Sequence, residues 1–187
     1  MKRKISSKEL KEATLERLRE RDVNIEDIAQ LVYDLQVIYN DKLSMELCIE
    51  SVDKVLTKRE IQHAILVGIE LDVLAEKKLI REPLLSIIES DEGLFGVDEI
   101  LAIGSVYGYG SIALTTFGYL DKCKVGIIKE IDRKKDGKVN TFLDDIVAAI
   151  AAASAGRIAH HCRDLEDELI EKNENTEQIN DKIKRII

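Results

Sequence analysis

The sequence predicts an all-α protein, a single compact multi-helix bundle, and three observations carry that reading. Only one proline and ten glycines interrupt 187 residues. Apolar residues recur at three- and four-residue intervals almost throughout, and no stretch alternates as a strand would. The length suits one domain, at roughly 100–200 residues per domain. Residues 1–187 are therefore read as one helical unit: amphipathic helices over 1–90, a core with an acidic cluster over 91–161, and a charged helical flank over 162–187. Hydrophobic residues make up 45%, with five Tyr, three Phe and no Trp, so the core is aliphatic.

A first helix is expected from Lys8 to Arg21 behind Ser7, burying Leu10, Ala13, Leu15 and Leu18. A second follows Asn24, a residue suited to capping free N–H groups, and carries Ile28, Leu31, Val32, Leu35 and Ile38 on one side. Ser44 caps a third helix running to Leu56. Thr57-Lys58-Arg59-Glu60 has the T-x-x-E form of a capping box and opens a fourth, to Leu79. Pro83 suits a first helical turn, and a short helix through Ile88 is expected after it.

From Ile100 to Leu120 there are 21 consecutive uncharged residues, between Asp98-Glu99 and Asp121-Lys122. About 20 apolar residues can span a bilayer. Tyr107-Gly108-Tyr109-Gly110 lies in the middle, however, and favours two shorter helices joined by a turn and buried in the bundle. A short helix with Ile127, Ile128 and Ile131 then leads to a polar turn over Asp132 to Gly137, and Thr141 opens the next helix. Ile146 to Gly156 is uncharged and rich in alanine. A helix apolar on all sides belongs at the centre of the bundle. Arg163 to Ile187 reads as a charged amphipathic helix broken near Asn173 to Asn175.

Composition excludes several function classes. Lys plus Arg number 28 against 36 Asp plus Glu, a net charge of -8, which disfavours nucleic-acid binding. Cys48, Cys123 and Cys162 are widely separated and form no CxxC pattern, which fits a reducing cytoplasm. The basic start lacks a long apolar run behind it, so no secretory signal is expected, and the turn inside the uncharged run together with the charged chain on either side leads us to expect no transmembrane span. There is no P-loop, dinucleotide fingerprint or GxSxG. His160 and His161 are neighbours that point about 100° apart on a helix and cannot chelate one ion together.

Five acids stand apart from the general acidity. A reversal at Gly108 to Gly110 returns Asp121 to the level of Asp98 and Glu99, because the two arms are similar in length. Asp144 and Asp145 begin the apolar helix, although Asp144 also fits a local Thr141-x-x-Asp144 cap. Carboxylates crowded in a low-dielectric bundle repel one another unless a cation compensates them. Oxygen-only ligands point to Mg²⁺, with Mn²⁺ or Ca²⁺ as alternatives, and such an ion suits phosphate chemistry. Lys122 or Lys124 can add positive charge there.

These residues resemble the phosphatidylglycerophosphatase A family. The likeness lies in Asp91-x-Gly93 leading to Asp98-Glu99, Phe117-x-x-Leu120-Asp121-x-x-Lys124, Asp132, Gly137 and Asp144-Asp145-Ile146-Val147-Ala148, and covers Asp91 to His161. It departs from the family where Val125 replaces a common proline, and where residues 1–90 lack hydrophobic spans and a Gly-Thr-rich segment. The resemblance implies a soluble branch and a Mg²⁺-dependent phosphatase that removes the terminal phosphate of phosphatidylglycerophosphate or a related soluble phosphoester. Asp98, Glu99, Asp121, Asp144 and Asp145 are then expected to hold metal and Lys124 to bind phosphate, with no single general base assigned. The expected partners are a phosphorylated small molecule or a lipid headgroup, with contact at the membrane surface, and further copies of the chain in a homo-oligomer. The alternative is a non-catalytic oligomeric helical protein with a structural or regulatory cation site.

Overall fold

The computed structural model describes residues 4–40, 42–133 and 137–171. Its elements are α1 (Ser7–Glu20), α2 (Ile25–Gln36), α3 (Met45–Val55), α4 (Arg59–Glu76), α5 (Leu84–Ser90), α6 (Val97–Val106), α7 (Gly110–Cys123), α8 (Gly126–Arg133) and α9 (Leu143–Glu171), with one turn of 3-10 helix at Tyr107–Tyr109. No strand occurs among the described residues, and the all-α expectation holds. The Ala-rich helix is central as expected: α9 packs against α2, α3, α4, α6, α7 and α8. Ala148, Ala149, Ala151, Ala152, Ala153 and Ala155 are all buried, and their small side chains let neighbouring helices approach on every side.

Capping corrects several sequence expectations. Ser6, not Ser7, caps α1, its hydroxyl accepting the Glu9 N–H at 3.1 Å. The Asp27 carboxylate accepts the Asn24 N–H at 2.9 Å, fixing the start of α2, and Ser44 accepts the Leu47 N–H at 3.2 Å. The expected Thr57 capping box does not form. The Thr57 hydroxyl instead donates backwards to the Lys54 carbonyl at 2.6 Å, closing α3, and α4 begins at Arg59. Ala13 is only half-buried while Thr14 is buried on the core side of α1. Ile38 lies beyond α2 and is exposed, because the chain turns out of the helix after Gln36.

The uncharged run folds as a hairpin along α9. Residues Val97–Cys123 are long and apolar enough to cross a membrane by length and composition alone. The turn at Tyr107–Tyr109 divides them, and Gly110 there has φ +76°, a left-handed conformation that glycine adopts without strain. Tyr109 and Gly110 lie beside Gly156 and His160 at one end of the hairpin, while its charged ends meet the start of α9 at the other. The expected full burial of the run is corrected. Ala102, Val106, Ala113, Phe117 and Leu120 face α9, but Ile100 is 70% exposed and Tyr107 and Tyr119 also face outward. Only one face of each arm has a helix to pack on. α9 runs unbroken to Glu171. The expected break near Asn173 to Asn175, and residues 134–136 of the expected polar turn, fall outside the described residues.

A candidate metal centre at the base of the hairpin

Three helix ends bring the predicted acids to one level. Gly96, at φ +64°, turns the chain into α6 and sets Asp98 and Glu99 in its first turn. Asp121 occupies the last turn of α7, which Lys124 closes. Asp144 and Asp145 open α9. Asp98 and Asp144 are each 6% exposed and Asp145 3%, which is rare for carboxylates.

The cluster has two parts. One oxygen each from Asp98, Glu99 and Asp145 lie within 4.8 Å of one another, a spacing that allows one ion to reach all three. Asp98 Oδ1, Glu99 Oε2 and Asp145 Oδ1 are buried and receive no hydrogen bond. Beside them the Lys124 ammonium donates to Asp144 Oδ2 at 2.6 Å and Asp121 Oδ1 at 2.9 Å, and sits 3.5 Å from Asp145 Oδ1. The residue expected to hold phosphate thus bridges two of the expected metal ligands to the third.

Electrostatics follow this division. Burial and the neighbouring Asp144 push the Asp145 carboxyl up to about 9. Burial and Glu99 push Asp98 up to about 7. Asp144 rises only to about 6, because Lys124 opposes the effect of burial. For Lys124, burial disfavours the charge, but Asp144 and its neighbours outweigh that and raise its pKa. A divalent cation held among Asp98, Glu99 and Asp145 would reverse the penalty on those acids, and an all-oxygen set of this kind could hold Mg²⁺ or Mn²⁺.

A cavity of about 420 Å³ adjoins Asp144 and is lined by Asp91, Asp132, Lys78, Lys138, Asn140 and Ser90, among others. Two of these, Asp91 and Asp132, lie in the sequence blocks that carry the family resemblance. The local Thr141 cap does not form: its buried hydroxyl donates to the Ile88 carbonyl at 2.6 Å. α9 is capped from α4 instead. The two oxygens of Asp72 accept the Phe142 N–H at 3.2 Å and the Leu143 N–H at 3.1 Å. Sequence reasoning missed Asp72. The available signal was its place in the apolar stripe Ile61, Ile65, Ile69, where a lone carboxylate is out of character. His63, His160 and His161 are exposed and lie outside the cluster.

The phosphatidylglycerophosphatase A family model matches residues 25–160. The chain belongs to that family. The match begins at α2 and extends well beyond the blocks that carried the resemblance, because α2, α3 and α4 form the walls around α9. The uncharacterized protein YpjQ of Bacillus subtilis (strain 168) is 55% identical over 92% of this chain and 97% of its own. The uncharacterized protein YutG of the same organism is 53% identical over 80% and 90%. The crystal structure of B. subtilis ypjQ superposes with a TM-score of 0.83 at 55% identity, covering 86% of this chain and 99% of that one. The low temperature requirement C protein of Listeria monocytogenes gives 0.79 at 51% identity, over 81% and 96%. Membership indicates a phosphatidylglycerophosphatase-like fold and a phospholipid-related substrate.

Proposed function

We propose that this family member is a Mg²⁺-dependent phosphomonoesterase whose substrate is phosphatidylglycerophosphate or a related soluble phosphoester. The observation that carries the proposal is the grouping of Asp98, Glu99 and Asp145, which bring one carboxylate oxygen each within 4.8 Å of one another and each have a buried oxygen that receives no hydrogen bond. Buried carboxylate oxygens without a hydrogen-bond donor are costly, the Lys124 ammonium 3.5 Å from Asp145 Oδ1 compensates only one of the three, and a cation is the partner their chemistry fits. These three residues would hold the ion, which when bound supplies Lewis acidity toward phosphoryl oxygens and lowers the pKa of water. Asp121 and Asp144 hold the Lys124 ammonium at the edge of the trio, where its charge steadies a phosphate dianion. The polar cavity beside Asp144 offers room for a headgroup, and Lys78 and Lys138 on its wall attract anions. Exposed Leu94, just before α6, and Val97 and Ile100 in its first turn support contact of a cytoplasmic protein with the membrane surface, where a lipid phosphate is within reach.

A second reading rests on Lys124. Its ammonium already compensates Asp121 and Asp144, as in a structural ion-pair cluster, and favours a non-catalytic protein in which the acids serve structure. Phosphate release from phosphatidylglycerophosphate and from soluble phosphomonoesters, with Mg²⁺ and with EDTA, separates the readings. Metal-dependent release that Asp98→Asn abolishes is the expected result. Metal binding without turnover on any of these phosphoesters would favour the second reading.

A further inference from the structure

We infer that Asp72, on α4, is a positioning residue for the metal centre: by capping α9 across the bundle it sets Asp145 against Asp98 and Glu99. The inference rests on the metal reading above. A helix begins with backbone N–H groups that have no partner within the helix. At α9 the local polar side chains are engaged elsewhere. Thr141 donates to Ile88, while Asn140 donates to the Ile131 carbonyl at 2.9 Å and accepts from Arg21 at 2.6 Å. Asp72, fully buried, accepts from Phe142 and Leu143, the two residues immediately before the Asp144-Asp145 pair.

Two further positions on the same face of α4 make this hold a register rather than a single contact. One turn before Asp72, a Cβ on Gly68 would lie 2.3 Å from Ile146 Cδ1 and 3.0 Å from Phe142 Cβ, so glycine there brings the helices close enough for a short side chain to reach. One turn after it, Glu76 accepts the Val139 N–H at 2.8 Å and pairs with Arg21 at 2.7 Å. Arg21 also donates to the Val139 carbonyl at 2.6 Å. Positions 68, 72 and 76 thus fix residues 139 to 146 along α4. A shift there displaces the Asp145 oxygen from the other two corners of the trio.

The test uses the full chain and Mn²⁺ alone, with affinity read from the EPR signal of free Mn²⁺ and thermal midpoints measured in parallel. Partners that orient metal ligands typically change affinity by about 10–100-fold. Asp72→Ala is expected to weaken Mn²⁺ binding at least tenfold. Asp72→Asn keeps one acceptor and is expected to weaken it less than Asp72→Ala does, by about fivefold against the roughly tenfold lower end of that range, while its midpoint stays at or above wild type because the neutral amide, unlike the carboxyl, takes up no proton on burial. Ser51→Ala removes a hydrogen bond to the Ser154 carbonyl far along α9. It is expected to lower the midpoint without changing Mn²⁺ affinity, which separates positioning from general stability. Asp72→Ala binding Mn²⁺ within twofold of wild type overturns the assignment, and if that variant does not fold, Asp72→Asn within twofold does so. Wild-type protein that takes up no Mn²⁺ removes the metal reading and the assignment with it, whereas wild-type binding that both variants retain removes the assignment alone.

Discussion

Asp145→Asn should make the metal-free protein more stable and the metal-bound protein less so. The side chain is almost fully buried, its Oδ1 has no hydrogen-bond donor, and the nearest compensating charge is Lys124 at 3.5 Å. A buried polar group without a partner costs about 1–3 kcal/mol, and more when charged. The amide is buried like the carboxyl but takes up no proton on folding; taking about 2 kcal/mol relieved on that account, and about 2–4 °C per kcal/mol for a chain of this size, the midpoint in EDTA at pH 8 rises by about 4–8 °C. Mn²⁺ at a hundred times its Kd stabilises wild type by about 2.7 kcal/mol. That corresponds to a rise of about 5–11 °C by the same conversion, which the variant should lack. Thermal unfolding of both proteins, with EDTA and with Mn²⁺, reads these shifts. A variant less stable than wild type in EDTA, or one that Mn²⁺ stabilises equally, refutes the reasoning.

Other outcomes follow from the same geometry. The carboxyls of Asp72, Asp98, Asp144 and Asp145 stand at about 8, 7, 6 and 9, all above their ordinary range near 4. The folded state therefore holds protons that the unfolded chain has released. Metal-free stability should fall as pH rises from about 4 to about 9, and divalent cation should flatten that slope in urea titrations across the range. Lys124→Met leaves Asp144 buried without its cation and should cost about 3 kcal/mol in EDTA by urea unfolding, with saturating Mg²⁺ restoring part of the loss. Gly68→Val forces a side chain against buried Ile146 and Phe142 and should cost about 1–3 kcal/mol by the same measurement.

The sequence showed most clearly what depends on local pattern. The spacing of Ile28, Leu31 and Val32 marked the buried side of α2, and the uncharged Ala148 to Ala155 segment marked the central helix, because burial all round requires apolarity all round. The glycines at 108 and 110 marked the hairpin turn, and with it the return of Asp121 to the level of Asp98 and Glu99. What local pattern missed was set by partners distant in the chain. Thr57 and Thr141 each had the local signature of a cap. In the fold Thr57 closes the preceding helix and Thr141 reaches α5, and the N–H groups beside Thr141 are met by Asp72, seventy residues away. Nor does apolar spacing tell which faces find a neighbour. Ile100 and Tyr119 have the same character as Ala102 and Leu120, yet only the latter meet α9. The role of Lys124 likewise became visible only once three helix ends stood together around it.

Calorimetric titration of Mg²⁺ and Mn²⁺ into wild type and Asp145→Asn tests the central claim most directly. Saturable binding to wild type, accompanied by proton release at pH 8 and lost in the variant, is the predicted result. Absence of binding to wild type, or undiminished binding to Asp145→Asn, would contradict a metal centre built on Asp98, Glu99 and Asp145.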